Sequence, residues 1–405
     1  MLPITARIIA LACLVLSVPC FAQTPEEVRS DAQIHLGPFY VTPRLAVKEF
    51  GVDTNVFNSA DAKRDFTFTL SPSARVSVPF GRRAVVRTRV GGDVVYYQRY
   101  GTERSINPEV TVRTDGYIGR VLPFVEVGYL RSRQRPNFEI DARSLREERV
   151  FKAGTIVKVS ARTSVELAAE ERPVEFGADS QFNDVNLRET LNRTTSLRRI
   201  EGRYELTPLT TLVLRTESAR DRFAFSPLRD ADSSVILPGV EFKPRALVSG
   251  SAQVGFRRFD PLNDSLAPFS GVVANASLSY TLQGATRFSV TANRDVTYSY
   301  ERAQPYYLTT GLGVTVRRQI VGRFDVSGSL QHQRYAYRDL LLPGALLADS
   351  NRIDTTRTWA GSLGYRVGSA MRAGFGLMNQ SRVSNSARLR DYQGIRVIST
   401  LDYEF

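Results

Sequence analysis

Arginine side chains recur at alternate positions of one segment, and that spacing predicts an anion-attracting surface. Arg83, Arg87 and Arg89 share one parity with Asp93, whereas Ala, Val and Thr occupy most of the positions between them. Successive side chains of a β-strand point to opposite faces, so one face would be charged and the other apolar. Rings of Arg and Lys favour anions in a pore. A soluble, half-buried sheet has the same period, so this segment alone decides nothing.

The same parity assigns many further basic side chains to the charged face. Acidic side chains share that face at fewer positions, among them Glu201 and Asp325. If the strands enclose a pore, its lumen is therefore predicted to be wet and net positive. Anion preference is our interpretation of the excess as a whole. For any single residue, pairing with an opposite charge on a neighbouring strand is an equally good interpretation. The predicted lumen-lining basic residues are Arg75, Arg83, Arg87, Arg89, Arg113, Arg199, Arg203, Arg215, Arg257, Arg317, Arg366 and Arg372.

Strands must position these side chains, and the alternating pattern recurs in 18 segments from residue 39 onward. Short connections such as 80–82 and 283–285 alternate with long ones such as 178–192 and 338–354, as periplasmic turns and outer loops do in bacterial barrels. An open edge would leave unpaired backbone groups in hydrocarbon, so the sheet must close. The sequence predicts an all-β fold, a closed antiparallel transmembrane β-barrel of about 18 strands, with about 16 as the alternative.

The last segment alternates strictly and ends on an aromatic residue. Ile395, Val397, Leu401, Tyr403 and Phe405 share one face. Tyr403 and Phe405 together resemble the signal by which Gram-negative outer-membrane barrels are recognised for assembly. We therefore expect the barrel-assembly machinery as a partner and the outer membrane of a Gram-negative bacterium as the location.

The first residues predict export. Residues 1–22 read as a signal peptide with a basic start, an apolar stretch and small residues before the expected cleavage site. Residues 23–37 read as a short periplasmic lead, and residues 38–405 as the barrel. Cys13 and Cys20, the two cysteines of the chain, lie in the predicted signal peptide. We therefore expect no disulfide and no zinc site in the mature protein.

Composition favours transport over catalysis. The formal net charge is +13, but arginine is spread over many segments and the chain has an export signal, so we expect no nucleic-acid partner. The chain has two histidines, and His332 falls by parity on the lipid face. Because no P-loop, HExxH motif or nucleophile elbow is present, we predict no enzyme activity, no catalytic residue and no cofactor.

Aromatic residues cluster where strands meet the long connections. The predicted outer-rim set is Tyr96, Tyr97, Tyr100, Tyr298, Tyr300, Tyr335 and Tyr337. A girdle at the level of the lipid headgroups is the favoured interpretation, and ordinary strand propensity is the alternative. The apolar connection 339–347 is predicted either to fold into the lumen as a lid or to pack on neighbouring loops or lipopolysaccharide.

The run Gly51-Val52-Asp53-Thr54-Asn55-Val56-Phe57 follows the first predicted strand. This run, and the mature chain as a whole, resembles the β-barrel porins that accompany exopolysaccharide or capsule export in Gram-negative bacteria. The resemblance implies an outer-membrane conduit or accessory barrel for surface polysaccharide, with an acidic polysaccharide and periplasmic export proteins as partners besides membrane lipid and lipopolysaccharide. A general anion-preferring diffusion porin and a structural barrel with a closed lumen stay open as alternatives.

Overall fold

The computed structural model describes residues 34–244, 246–341, 350–368, 370–386 and 390–404. The predicted signal peptide, most of the predicted lead and Phe405 lie outside these residues. The strands are β1 Ile34–Leu36, β2 Phe39–Asp53, β3 Asp65–Phe80, β4 Ala84–Tyr97, β5 Ser105–Gly116, β6 Val121–Gln134, β7 Ser144–Lys158, β8 Thr163–Phe176, β9 Gln181–Phe182, β10 Val185–Asn186, β11 Arg193–Thr207, β12 Thr210–Phe223, β13 Ala231–Phe242, β14 Val248–Pro261, β15 Phe269–Leu282, β16 Thr286–Tyr298, β17 Tyr306–Gln319, β18 Phe324–Arg338, β19 Ile353–Val367, β20 Met371–Ser384 and β21 Tyr392–Glu404. The helical elements of the described residues are α1 Leu187–Leu191 and single 3₁₀ turns at Gly101–Glu103 and Pro227–Arg229.

Eighteen of these strands form one closed barrel. Consecutive barrel strands pair antiparallel, and β21 returns to β2 with Asp53 opposite Arg396 and Ala46 opposite Asp402. The remaining strands are accessory: β1 pairs with the start of β2, and β9 pairs with β10 in the connection after β8. The predicted all-β barrel of 18 strands is confirmed, and closure leaves no sheet edge to face lipid.

The connections differ in length at the two ends of the barrel. Those at the inner end, where the predicted periplasmic turns lie, are short, and residues 283–285 link β15 to β16. There, Gln283 and Gly284 have φ of 49° and 67°, and Ala285 N–H donates to Leu282 O. Two positive φ values in a tight turn are the type I′ pattern that suits strand twist, and Gly adopts them without strain. The outer connections are longer, and residues 177–192 even contain β9, β10 and α1.

Side chains alternate along each wall strand as the parity predicts. On β19, Trp359 and Leu363 point outward with 45% and 49% of their surface exposed, whereas Thr356 and Thr358 point inward and are buried. β-Branched and aromatic residues suit such a pleated wall. In the described part of the chain, no helix is long and apolar enough to cross a membrane.

The outer ends of β16 and β17 depart from the wall. Pairing between β15 and β16 stops at Ala274 and Arg294, although both strands continue outward beyond this point. There, Tyr306 and Leu308 are buried in one apolar cluster with Phe259, which points inward from β14. This hairpin therefore folds into the lumen. The face of the hairpin that would contact lipid in a regular barrel packs instead against the inner face of the barrel.

Candidate functional site

The first candidate region of the lumen is a wall of arginines at the inner end. On β3 and β4, Arg75 lies directly opposite Arg89, and both side chains are exposed inside the barrel. Farther round the barrel, Arg287 of β16 lies opposite Arg317 of β17. Like charges at directly opposed positions repel, so this arrangement would favour an anion between them. We call the set Arg75, Arg89, Arg287, Arg317, Arg366 and Arg372 the arginine wall.

Asp325 on β18 is the acid that this wall shares. Arg372 donates to Asp325 through Nη2 at 2.7 Å and Nε at 3.0 Å, and Arg317 Nε lies 3.6 Å from the same carboxylate. Arg372 reaches β18 from β20 by lying across Gly364 of β19, where a Cβ would overlap its guanidinium. Arg366 lies opposite Arg372. With one carboxylate for several guanidiniums, the wall keeps a net positive charge.

Four members of the wall have no hydrogen-bonded or ion-paired partner among the residues that the structure describes. The side chains of Arg75, Arg89, Arg287 and Arg366 make no ion pair or hydrogen bond with any of them. A guanidinium facing a water-filled lumen keeps its hydration, so leaving it unpaired costs little. Their charges are therefore not neutralised by a hydrogen bond or an ion pair with a described residue.

The opposite part of the lumen, from β5 to β13, balances its charges. Glu201 accepts from Arg203 at 2.6 Å and from Arg215 at 2.5 Å. Arg199 Nε donates to Glu217 at 2.7 Å. For these residues the geometry matches the pairing interpretation. Further lumen pairs are Arg87 with Asp115, Arg113 with Asp115 and Glu126, and Arg257 with Asp295.

Of the predicted lumen-lining arginines, Arg83 alone does not lie on a strand of the barrel. β4 begins at Ala84, and Arg83 lies in the preceding turn, where its N–H donates to Phe80 O. The alternation extends by sequence into this turn, but the turn reverses the chain before Arg83 can join the strand. Arg83 therefore borders the inner mouth of the barrel.

The second region is an outer cap built from the long connections. Ser299 Oγ, in the connection between β16 and β17, donates to Glu139 Oε1 at 2.6 Å. Glu139 lies between β6 and β7, eight strands away around the 18-strand barrel. Connections on nearly opposite sides can meet only over the middle of the lumen. Glu139 and Ser299 are 2% and 0% exposed, so packed protein surrounds this contact.

Arg229 holds the tip of the inward-folded hairpin. It lies in the connection between β12 and β13, and its surface is 3% exposed. Its guanidinium donates to the backbone carbonyls of Ser299, Tyr300, Glu301 and Pro305. A side chain with a rigid fork of donors can satisfy several carbonyls that would otherwise be buried without a hydrogen bond.

Tyr300 is the central side chain of the cap and is completely buried. Its hydroxyl contacts Asn183 Nδ2 and Arg390 Nη1, both at 2.9 Å, so connections after β8 and before β21 also reach it. Its ring packs in one apolar cluster with Ile140 and Leu187. Segments from around the whole barrel thus meet at this residue, and none of these contacts was predicted from the sequence.

Burial perturbs the ionisable groups of the cap. Loss of hydration raises the pKa of the Glu139 carboxyl and of the Asp141 carboxyl, although neighbouring arginines oppose the change. Burial also lowers the pKa of the Arg229 guanidinium to about 10, so Arg229 is still charged at neutral pH. Desolvation disfavours each charged form, and hydrogen bonds retain it.

The run Asp53–Phe57 supports this cap. Asp53 Oδ1 accepts from the Asn55 N–H at 2.8 Å, and its other oxygen pairs with Arg396 Nε at 2.8 Å. Val56 is completely buried, and its carbonyl accepts from Arg135 Nη2 and from Arg143 Nη2. An Asp that binds its own backbone two residues on is a turn former. The run therefore turns the first connection inward and ties it to the connection after β6.

The girdle interpretation is wrong for most of the predicted outer-rim tyrosines, because their rings lie inside the barrel. Tyr97, Tyr335 and Tyr337 point inward and are at most 6% exposed. Tyr298 and Tyr300 belong to the inward-folded hairpin, and Tyr298 donates to Asp221 Oδ2 at 2.9 Å. Tyr100 lies in a connection against Phe57, and Tyr96 alone of the set points outward from its strand.

Two predictions fall mainly outside the described residues. Of the connection 339–347, the structure describes residues 339–341, which contact neighbouring connections: Leu340 N–H donates to Ala303 O and Leu341 N–H to Ser265 O. Of the assembly signal, Tyr403 lies in β21 and Phe405 is not described. The lid and the assembly signal stay predictions.

An 18-strand barrel with an apolar outside and a charged lumen defines an outer-membrane, porin-like β-barrel. Residues 31–405 match the family described as "Putative beta-barrel porin 2", and the chain belongs to that family. No curated protein matches the sequence. Two Pseudomonas aeruginosa proteins share the fold. OccK2 (OpdF) is 12% identical with a TM-score of 0.51, and the outer membrane protein OpdK is 10% identical with a TM-score of 0.50; each match covers 90% of this chain and 98% of the other.

Proposed function

We propose that this barrel is a gated, anion-preferring channel whose passengers enter at the inner end, and that acidic exopolysaccharide is exported through it. The observation that carries the proposal is the set Arg75, Arg89, Arg287 and Arg366, which face the lumen without a partner among the described residues. Such charges bind anions weakly at several neighbouring sites, which is what conduction requires.

The placement of the charge favours the direction. The arginine wall lies near the short inner turns, whereas the cap at the outer end has its arginines bonded and buried. A positive inner mouth concentrates anions from the periplasmic side. An acidic polymer, with its regular row of carboxylates, would engage several wall arginines at once.

Bilayer recordings in a KCl gradient test the channel. For the wild-type protein we expect an anion-selective reversal potential whenever the cap is open. Arg75→Glu/Arg89→Glu should move the reversal potential toward cations, because it reverses two unpaired lumen charges. The matched control is Arg198→Glu/Arg220→Glu, which makes the same change on the lipid-facing side of β11 and β12. Equal shifts in both pairs would sink the assignment of the wall as the selectivity element.

The passenger is tested in the same recordings. Oligogalacturonate added at the inner side should block the current at lower concentration than it does at the outer side, and a neutral maltodextrin of equal length should block weakly from either side. Equal block by both sugars would favour a general diffusion porin. No current from any folded variant, including one with a disrupted cap, would favour the structural barrel that the contact between Glu139 and Ser299 also allows.

A further inference from the structure

The lipid-facing side of β18 and β19 carries a basic surface. His332, Arg334 and Arg338 point outward from β18, and Arg357 points outward from β19. All four side chains are exposed, and none contacts a described acidic residue. We call these four residues the basic lipid-face patch.

The patch begins where the apolar band of the wall ends. Leu330 lies opposite Trp359, and they are 67% and 45% exposed on the lipid side. The next outward position on the same face pairs His332 with Arg357. At about 3.4 Å per residue along a tilted strand, Arg334 stands roughly 10 Å above Leu330. An arginine at this height lies at the level of the lipid headgroups when Leu330 contacts the acyl chains.

Local geometry suits a phosphate. Arg334 lies opposite Thr355 on one side and opposite Thr310 on the other, so a threonine stands beside it on each neighbouring strand. Arg357 is two residues along the strand from Thr355, which makes it a diagonal neighbour of Arg334 at about 7–8 Å. Two long guanidinium side chains at that spacing can both donate to one phosphate group.

Two other lipid-facing arginines of the barrel, Arg222 and Arg258, have acidic partners, although Arg198 and Arg220 make no ion pair with a described residue. Arg222 of β12 pairs with Asp232 at 2.6 Å, and Arg258 of β14 pairs with Asp260 at 2.8 Å. The lipid-facing positions of β16 to β19, by contrast, include no Asp or Glu among the described residues. The patch therefore leaves its counter-ion to be supplied from the membrane.

We propose that the basic lipid-face patch binds the phosphorylated headgroup of lipopolysaccharide, with the acyl chains on Leu330, Trp359 and Leu312. Lipid A combines phosphate groups with acyl chains directly beneath them, in the order in which this surface presents arginine and apolar side chains. The surface faces away from the lumen, so this site is independent of conduction and of the passenger.

Native mass spectrometry of the full barrel in detergent tests the site with diphosphoryl lipid A. Arg334→Gln/Arg357→Gln should weaken lipid A binding by at least about tenfold, the factor expected when a hydrogen bond to a charged group is lost. The control Arg222→Gln/Arg258→Gln removes the same charge from the lipid face and should bind lipid A like the wild type. Heat-modifiable gel migration checks that both variants are folded.

Two further probes decide the chemistry. Lipid A without phosphates should bind the wild type no better than it binds the double variant. Phosphatidylglycerol should bind all forms equally weakly, whereas the same selective loss with this lipid would assign the patch to anionic lipids in general and overturn the proposal. Equal loss of lipid A in both variant pairs would overturn it as well.

Discussion

Arg229 in the outer cap is 3% exposed and bonded to four carbonyls, whereas Arg75 on the inner wall is exposed and has no partner among the described residues. The difference follows from hydration. A guanidinium removed from water must be bonded, because burying a charge without a partner costs several kcal/mol. A guanidinium in a water-filled lumen keeps its hydration, so it needs no partner from the protein. The same residue type is therefore buried and bonded at the outer end and exposed without a bonded partner at the inner end.

A cap made of charged contacts is also suited to opening. Asp354 pairs with both Arg352 and Arg382, and Glu139 bonds Ser299 and the Tyr300 N–H. When these groups separate, water replaces much of what they lose, so the closed state gains little over the open one. An apolar plug of the same size would lose its burial on opening and recover nothing.

The largest effect is expected from breaking the cap at Arg229. Arg229→Ala would leave the carbonyls of the hairpin tip buried without a donor, at a cost of about 1–3 kcal/mol for each group left unsatisfied. The tip should then leave the lumen, and single-channel conductance should rise several-fold over the wild type.

Arg302→Ala is the matched control for that experiment. Arg302 lies at the tip of the hairpin that Arg229 holds, in the connection between β16 and β17, but its side chain is 73% exposed and its contact with Glu189 is 3.8 Å long. An exposed pair of this kind contributes little, so conductance should stay at the wild-type level. Wild-type conductance from folded Arg229→Ala protein would contradict the closure of the lumen by the hairpin.

An intermediate effect is expected from pH. Burial raises the pKa of Glu139 in the closed cap above its value in an open, hydrated loop, which is about 4.3. The closed cap then binds the proton more tightly, so closure is favoured below the hydrated pKa and is weakened as pH rises through the raised pKa. Open probability should increase with pH in that window, by at most about tenfold per pH unit for one proton.

Glu139→Gln should flatten this pH dependence in single-channel recordings. Arg352 and Arg382 oppose the shift at Glu139, and Glu301 adds to it, so salt should change the midpoint. The pKa of Asp141 is raised as well, and Asp141→Asn in the same background should remove the remaining slope. A decrease of open probability with rising pH would contradict the sign of the Glu139 effect.

The wall could be predicted from the sequence because lipid imposes a strict rule on it. Every wall strand needs an apolar outside, so parity alone placed Arg75, Arg89 and Arg372 on the lumen side. The cap follows no such rule. Its contacts join residues far apart in sequence, as with Glu139 and Ser299, and each connection taken alone looks like an exposed loop.

In the inward-folded hairpin, the alternation of side chains no longer predicts which face contacts lipid. Tyr306 and Leu308 continue the parity of Leu312, which is 54% exposed on the lipid side, yet both are buried inside the barrel. A strand face that leaves lipid for the apolar inner surface of the wall keeps the same sequence pattern. The adjacent pair Tyr306-Tyr307, with bulky aromatics on both faces, is the signal that could have marked the change.

The smallest effect is expected from a substitution at the arginine wall, and it concerns anion selectivity. Gly364→Ala would place a Cβ where the Arg372 guanidinium lies, so Arg372 should leave Asp325 and turn into the lumen. The side chain can move without backbone strain, but Asp325 is 4% exposed and would lose its two hydrogen bonds from Arg372, so stability should fall. Anion selectivity should rise slightly in the KCl-gradient recordings, because one more guanidinium reaches the water.

Two further substitutions separate this effect from simple crowding of the strand. Gly361→Ala, on the same strand with no atom near the added Cβ, should leave the reversal potential unchanged. Arg372→Gln breaks the same contact but removes the positive charge and bares Asp325, so it should shift selectivity toward cations. Gly364→Ala and Arg372→Gln could instead shift the reversal potential in the same direction. The ion would then not be responding to the charge of Arg372. In that case an unpaired arginine could not be the feature that distinguishes the wall from the cap.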